Sequence, residues 1–442
     1  MRCHSLRPET ERRKELSMAS YDLEHHLNWI RAQFPALGQK VNGEPVIYLD
    51  GPGGTQVPQR VIDAMADYLA RSNANTHGSF PASRRTDAVI AAARDAMADL
   101  LCCEADEIVF GTNMTTMTFA VSRAIGRELR PGDEILLTRL DHDANIAPWS
   151  TLEEHGAVIR LVDIDPKDCT LDMGDLRRQL NDRTRLIAVC YASNAVGTIN
   201  DVTEIARLAH AVGALVFVDA VHFVPHGPID VRALDCDFLA CSPYKFFAPH
   251  VGVLYGKREH LRRLRPYKVR PATQDSPERW ETGTQNHEGL AGVTAAIEYL
   301  ADLGRRTGPN VGDVRTSKRR PVLLAAMEAI RGYERKLVEP LIRGLLAIPG
   351  VTVYGITDPP RFDWRTPTVA LRLAGQTPQE LARLLAEQGM FTWAGNYYAI
   401  NLTERLGVET AGGMLRLGLV HYNTAEEVAR VVDALRASAR VG

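Results

Sequence analysis

Four short polar clusters in this sequence carry side chains with complementary chemistry. Gly111-Thr112-Asn113 lies where a strand gives way to a helix. The free N–H groups and dipole of such a helix start attract an anion, although Thr and Asn also serve there as plain caps. Asp141-His142-Asp143-Ala144-Asn145 presents an imidazole that can stack on a flat cofactor or serve a structural hydrogen bond. Ser193-Asn194-Ala195-Val196-Gly197-Thr198 supplies an amide that both donates and accepts, or else forms an ordinary turn. The fourth combines Val218-Asp219-Ala220-Val221-His222 with Ser242-Pro243-Tyr244-Lys245. An Asp ending a buried strand can pair with a cation or cap a helix. A Lys in a pocket at the end of a sheet can lose its proton and become a nucleophile, and in solvent it is only a charge.

The elements that must position these clusters alternate in type. Strands are expected at Glu107–Phe110, Glu134–Thr138, Val158–Val162, Arg185–Cys190, Leu215–Asp219, Phe238–Cys241 and Val251–Tyr255. Helices are expected at Thr115–Leu129, Asn145–His155, Leu171–Leu180 and Val202–Val212. Such alternation predicts an α/β domain with a mostly parallel sheet covered on both faces. Runs such as Leu215-Val216-Phe217-Val218 fit strands buried on both sides. In these folds ligands sit beyond the carboxyl ends of the strands, which is where each cluster falls. After Leu303 the composition shifts. The expected order is a leader over 1–20, a large domain over 21–303 whose N-terminal segment packs on the small domain, a connector over 304–321 and a smaller α+β domain over 322–442. The last contains helices at Val322–Leu346, Pro378–Gln388 and Thr424–Ala437 and strands at Val351–Tyr354 and Thr368–Leu373.

A phosphate turn, a stacking His, a buried Asp and a downstream Lys together form a parts list for pyridoxal phosphate. The Asp keeps the pyridine nitrogen protonated and the Lys holds the aldehyde as a Schiff base. With these motifs in this order, the chain resembles the class V aminotransferase family of fold-type I pyridoxal-phosphate enzymes, and within it the cysteine desulfurase-like branch. The likeness runs from Ile47-Tyr48-Leu49-Asp50 to His421-Tyr422-Asn423-Thr424. It implies a large domain with a mixed, mostly parallel sheet between helices, and a homodimer with active sites at the interface. It implies that Lys245 carries the cofactor, Asp219 meets the ring nitrogen, His142 stacks on the ring and moves protons, and Asn194 and His222 contact ring oxygens. Thr112, Asn113 and Ser242 would hold the phosphate, and Thr284, in Trp280-Glu281-Thr282-Gly283-Thr284, would reach the partner subunit's phosphate. Arg416, in Leu415-Arg416-Leu417-Gly418, would grip the α-carboxylate of a small amino-acid substrate.

One stretch departs from the pattern. The desulfurases of this branch need a cysteine on a loop of the small domain. Thr392-Trp393-Ala394-Gly395-Asn396-Tyr397-Tyr398-Ala399 has Tyr398 there instead, and Trp393 where a second Arg is usual. No cysteine lies between Ser242 and Gly442. The expectation from this stretch is a reaction through an external aldimine and a quinonoid that does not form a persulfide. A lyase-type β-elimination at carbon–sulfur or another β bond leads, with aminotransferase, epimerase or decarboxylating carbon–carbon bond formation as alternatives. A non-catalytic cofactor-binding or regulatory protein is the alternative of another class. Tyr398 is expected to act as acid or base, or only to hydrogen-bond. Tyr397 and Trp393 are expected to face substrate, and packing aromatics remain an equal reading for Tyr397.

Composition bounds the rest. The chain has 442 residues and a net charge of −2, so it lacks the basic surplus that would hold a nucleic acid. No apolar run reaches the roughly 20 residues of a membrane helix. The seven cysteines include no C-x-x-C pair, which argues against a disulfide framework or a metal site and fits a reducing cytoplasm. Met18 is a possible second start. Arg84-Arg85, Cys102-Cys103 and the basic run from Arg315 to Arg320 read as solvated or packing features.

Overall fold

A computed structural model describes residues 23–308 and 318–439. The expected leader, Met18, Cys3 and the Arg315 part of the connector lie outside the described residues. The chain has the α/β architecture anticipated for a fold-type I enzyme. Its large sheet contains β1 (Ile108–Gly111), β2 (Glu134–Thr138), β3 (Val158–Val162), β4 (Thr184–Cys190), β5 (Leu215–Asp219), β6 (Phe238–Cys241) and β7 (Gly252–Gly256). The spatial order is β1-β7-β6-β5-β4-β2-β3, and every pairing is parallel except the two that β7 makes.

Apart from the partly exposed edge strand β3, both faces of this sheet are buried, which is why its strands read as continuous apolar runs. Side chains alternate between two cores. Val216 and Val218 of β5 enter one core, together with Ile187 and Val189 of β4. Phe217 enters the other with Ala188, Trp149 and the helix α1 (Met114–Gly126). The first core is also filled by α2 (Val202–Ala211), α3 (His287–Thr307) and α4 (Arg319–Leu346).

Helix α3 was not among the expected elements, because Gly289, Gly292 and Gly304 dilute its helical pattern. At least one of these glycines has a packing cause. A Cβ at Gly304 would stand 1.8 Å from the Val322 carbonyl oxygen, so α3 and α4 touch backbone to backbone there. The stretch expected as one helix over Asn145–His155 is broken. A short α-helix at Ala147–Ser150 lies between 3-10 turns, because Pro148 offers no N–H to extend a ladder.

A second, antiparallel sheet has the order β8-β9-β11-β10, with β8 (Val351–Tyr354), β9 (Thr368–Leu373), β10 (Trp393–Gly395) and β11 (Met414–Gly418). Helix α5 (Pro378–Glu387) packs against it, and α6 (Ala425–Ser438) packs on α4 and α5. The long α4 runs from the first core to contacts with β8 and α6. Near the N-terminus, Ile47–Tyr48 pairs in parallel with Met390–Phe391. Pro52 then lies directly on β11, where a Cβ at Gly418 would come within 1.9 Å of its ring. The loop after Tyr48 is thereby laid across the junction of the two sheets.

Candidate active site

At the carboxyl ends of the large-sheet strands lies a cavity of about 270 Å³. Lys245 follows β6 in a single 3-10 turn, and its Nζ donates to the Pro52 carbonyl. It sits 4.7 Å from the centroid of the Tyr244 ring. Burial, with the nearby Arg416 charge, lowers the Lys245 pKa to about 7. An amine so poised is half neutral near neutral pH, as a carbonyl-capturing lysine must be.

Asp219 ends β5, and its Oδ1 accepts the Val221 N–H at 2.9 Å. Burial raises its pKa to about 6 against that hydrogen bond and the Lys245 charge. A second acid, Asp141, lies behind the cavity, accepts from Thr138 and from Asn145 Nδ2 (2.7 Å), and is pushed up to about 8 mainly by burial. Any cation entering beside Asp219 would favour its ionised form.

His142 accepts the Ala144 N–H on Nδ1 at 3.0 Å, which leaves Nε2 as the protonated nitrogen. Burial and then the Lys245 and Arg416 charges lower its pKa to about 4, so the ring is neutral. The ring stacks on Tyr398, centroids 5.2 Å apart at 25°. His222 pairs through Nε2 with Thr366 Oγ1 at 3.1 Å, and burial holds its pKa well below the usual range.

The opposite wall comes from the small sheet. Arg416 on β11 stands directly across from Trp393 on β10, so both side chains share one face of the sheet. The Arg416 guanidinium lies 4.1 Å from the Tyr397 ring centroid, and its Nη1 donates to the Asn194 carbonyl at 2.8 Å. Asn194 Nδ2 donates to the Tyr397 carbonyl at 2.9 Å. Arg416 Nε and Asn194 Oδ1 are buried without a partner. Buried polar groups left unpaired are costly, so two of them beside one cavity point to a ligand.

Lys245, Asp219, His142, Asn194, His222, Ser242, Arg416, Trp393, Tyr397 and Tyr398 all line this cavity. The structure does not bring Thr112, Asn113 and Thr284 to it. The Asn113 side chain accepts the Thr116 N–H at 2.9 Å and caps α1, the plainer of the uses its residue type allows. Met114 and Thr115 line that corner instead. Thr284 faces a separate groove of about 620 Å³ shared with His77, Asp87, Arg94 and Glu281. Residue reasoning missed Pro52 and Gly53, whose signal was the Gly51-Pro52-Gly53-Gly54 run after Asp50, and Cys190 at the end of β4. Among the described residues, no group of three or more His, Cys, Asp or Glu side chains is placed to hold a metal ion.

The residues present suit pyridoxal phosphate: a near-neutral buried amine, a buried carboxylate that a ring cation would ionise, a neutral flat imidazole, and unpartnered amide and guanidinium groups.

Comparison with known proteins adds the family. The model of the aminotransferase class V family matches residues 47–309 and 322–431. A cysteine desulfurase of Pectobacterium atrosepticum is 33% identical over 434 residues, covering 94% of this chain and 98% of the relative. One from Haloferax volcanii is 32% identical, covering 92% and 96%. Among solved structures, the cysteine desulfurase of Thermococcus onnurineus superposes with a TM-score of 0.83 at 25% identity, covering 94% of this chain and 98% of that one. Cysteine desulfurase CsdA of Escherichia coli gives 0.80 at 28%, with the same shares covered.

These matches overturn the expectation of a β-elimination, transamination, epimerisation, decarboxylation or non-catalytic role that excludes persulfide-forming desulfuration. Proteins named for desulfuration align with nearly the whole chain. The expectation failed because it let one missing thiol decide the reaction. With the matched residues spanning both sheets and the cavity between them, the chain belongs to the class V aminotransferase family and is a pyridoxal-phosphate-dependent enzyme of its cysteine desulfurase-like branch.

Proposed function

We propose that the protein removes sulfur from L-cysteine, releasing L-alanine and passing the sulfur to a thiol as a persulfide. The observation that carries this reading is the placement of Lys245, Asp219 and Arg416 around one cavity, in a chain aligned end to end with cysteine desulfurases. The reaction balances as cysteine plus thiol giving alanine plus persulfide. The carbon–sulfur bond breaks, a sulfur–sulfur bond forms, and the electron pair and a proton go to carbon.

Bound pyridoxal phosphate supplies an aldehyde for the substrate amine and an electron-withdrawing ring. Lys245 holds the aldehyde between turnovers and, with a pKa near 7, takes and returns a proton at Nζ. Asp219 holds the ring nitrogen as its ionic partner. His142 would cover the ring as a neutral imidazole with its proton on Nε2, and Asn194 and His222 would reach the ring oxygens. Ser242 and the start of α1 at Met114 and Thr115 would face the phosphate, with Thr112 and Asn113 in the turn that precedes the helix. Arg416 takes the α-carboxylate, with Trp393 and Tyr397 walling the substrate and Tyr398 screening His142.

A homodimer is part of this reading. Thr284 lies on its own groove away from its own chain's cavity, which suits a residue that serves a second copy. No helix among the described residues is long and apolar enough to cross a membrane. Six free cysteines among the described residues suit a reducing, cytoplasmic setting.

The test is to load the protein with pyridoxal phosphate and supply L-cysteine with dithiothreitol. Alanine and sulfide should appear in equal amounts. Pyruvate in place of alanine, or no product with a saturated cofactor, would defeat the reading. Cys190 lines the cavity, but burial beside Asp141 and Asp219 holds its thiol well above the usual range. Cys190→Ser should therefore leave alanine formation intact.

A further inference from the structure

The loop joining β10 to the helix at Ile400–Arg405 holds two consecutive non-glycine residues in the left-handed region, Tyr397 at φ 56° and Tyr398 at φ 60°. Left-handed backbone at a bulky side chain is strained and persists only where the surroundings over-determine it. Here they do. Asn194 Nδ2 donates to the Tyr397 carbonyl at 2.9 Å, and the Asp143 N–H donates to the Tyr398 carbonyl at 2.7 Å. Both donors belong to the large domain, next to His142 and the Arg416 contact. The Tyr397 hydroxyl donates to the Met414 carbonyl.

From the small-domain side the turn is set by Asn396. Its Oδ1 accepts the Tyr398 N–H at 3.0 Å and its carbonyl accepts the Ala399 N–H at 2.8 Å. Its Nδ2 donates to Glu409 Oε1 at 2.9 Å, and the other Glu409 oxygen accepts from Thr403. Asn396 therefore has no rotational freedom left. The outcome is two rings aimed at two cavity groups, Tyr397 under the Arg416 guanidinium and Tyr398 on the His142 imidazole.

We infer that Asn396 and Glu409, neither of which lines the cavity, are positioning residues that hold the left-handed Tyr397–Tyr398 pair and, through it, the Arg416 and His142 groups that meet an amino-acid substrate. The strap makes the substrate half of the site complete only while the small domain is docked on the Asp143 and Asn194 loops. The inference rests on Arg416 as the carboxylate grip and not on which amino acid is consumed.

The experiment uses the full chain loaded with pyridoxal phosphate. Amino-acid binding is read as the shift of the cofactor's visible band on titration with L-cysteine and with L-alanine. Cofactor retention and amide hydrogen exchange at residues 140–145 and 396–399 are measured alongside. Asn396→Ala and Glu409→Ala should weaken amino-acid affinity about tenfold, the worth of one lost hydrogen bond. Cofactor affinity should change less than about twofold, within the scatter of a distant substitution. The Asp143 amide, in the other domain, should exchange faster in both variants. Glu409→Gln keeps an oxygen for Asn396 and should bind as the wild type does.

Amino-acid affinity unchanged in the alanine variants, parallel loss of cofactor and amino acid, or a Gln variant no better than Ala would each overturn the inference. If the alanine variants do not fold, wild-type exchange decides: the Asp143 and Tyr398 amides must open at one common rate, and separate rates overturn it. A wild-type protein that binds amino acids but makes no alanine defeats the desulfurase reading alone and leaves this test standing.

Discussion

The wall of the cavity built from the seven-stranded sheet and the wall built from the four-stranded sheet enclose the same ligand space with different kinds of backbone. Asp219 ends a strand, Lys245 stands in a single turn after β6 and His142 opens a short 3-10 turn, all in ordinary conformations fixed by a sheet that is buried on both faces. Tyr397 and Tyr398 instead occupy left-handed backbone held by side chains from elsewhere. In the proposed reading the strand-end wall would hold and tune the cofactor, which every turnover needs in one place. The opposite wall would meet the substrate, which must come and go, through Arg416 on strand β11 and the strap whose Tyr397 ring lies against it. An over-determined irregular loop is thus used only on the side of the transient ligand.

Breaking the first wall should cost most. Lys245→Ala should reduce alanine formation by about 10²–10⁴-fold, the range for losing a proton-transferring and covalent group, and remove the Schiff-base absorption band. Near-normal turnover by that variant would refute the assignment. The same wall carries a pH signature. Burial depresses Lys245 to about 7. The protonated amine cannot attack an aldehyde, so cofactor capture by the apoprotein should rise with pH through about 7 and then level off. A capture rate still climbing toward pH 10, the range of an unperturbed lysine, would show that the amine is not desolvated.

Breaking the second wall should spare the cofactor. Arg416→Ala should weaken amino-acid affinity roughly 30-fold, about 2 kcal/mol for a charge-assisted carboxylate contact, with cofactor binding nearly unchanged. Equal loss of both, measured by paired absorbance titrations, would erase the distinction between the walls.

The same division separates what the sequence discloses from what it hides. Strands β4, β5 and β6 were legible because full burial demands unbroken apolar runs, and the polar residues Asn194, Asp219 and Lys245 fall at or just beyond their ends. Arg416 was legible only through resemblance, since one Arg between apolar residues has no pattern of its own. Asn113 stays ambiguous because an N-cap, the use the structure shows, and a phosphate contact require the same residue type at the same place. Thr284 lines a groove apart from the cavity, where one chain alone assigns it no role. The strap was illegible for a different reason. A left-handed Gly announces itself, but two left-handed tyrosines are set by Asn194, Asp143 and Glu409, which lie between 13 and 255 residues away from the positions they fix when counted from Asn396–Tyr398.

Tyr398 sharpens the comparison with the smallest expected effect. Its ring stacks on His142, but the residue is 67% exposed and its hydroxyl meets no protein group among the described residues. A general acid or base needs its oxygen within hydrogen-bond reach of the proton it moves. No protein group among the described residues meets that condition here, whereas the stacking face is retained by phenylalanine. Tyr398→Phe should therefore change kcat by less than about twofold, within the range of a surface substitution. Tyr398→Ala, which removes the stack as well, should lower amino-acid affinity severalfold, in line with about 0.5–1.5 kcal/mol for an aromatic pair. A drop of about tenfold or more in the Phe variant would move the phenol into the proton-transfer chemistry and place part of the catalytic wall on the strap.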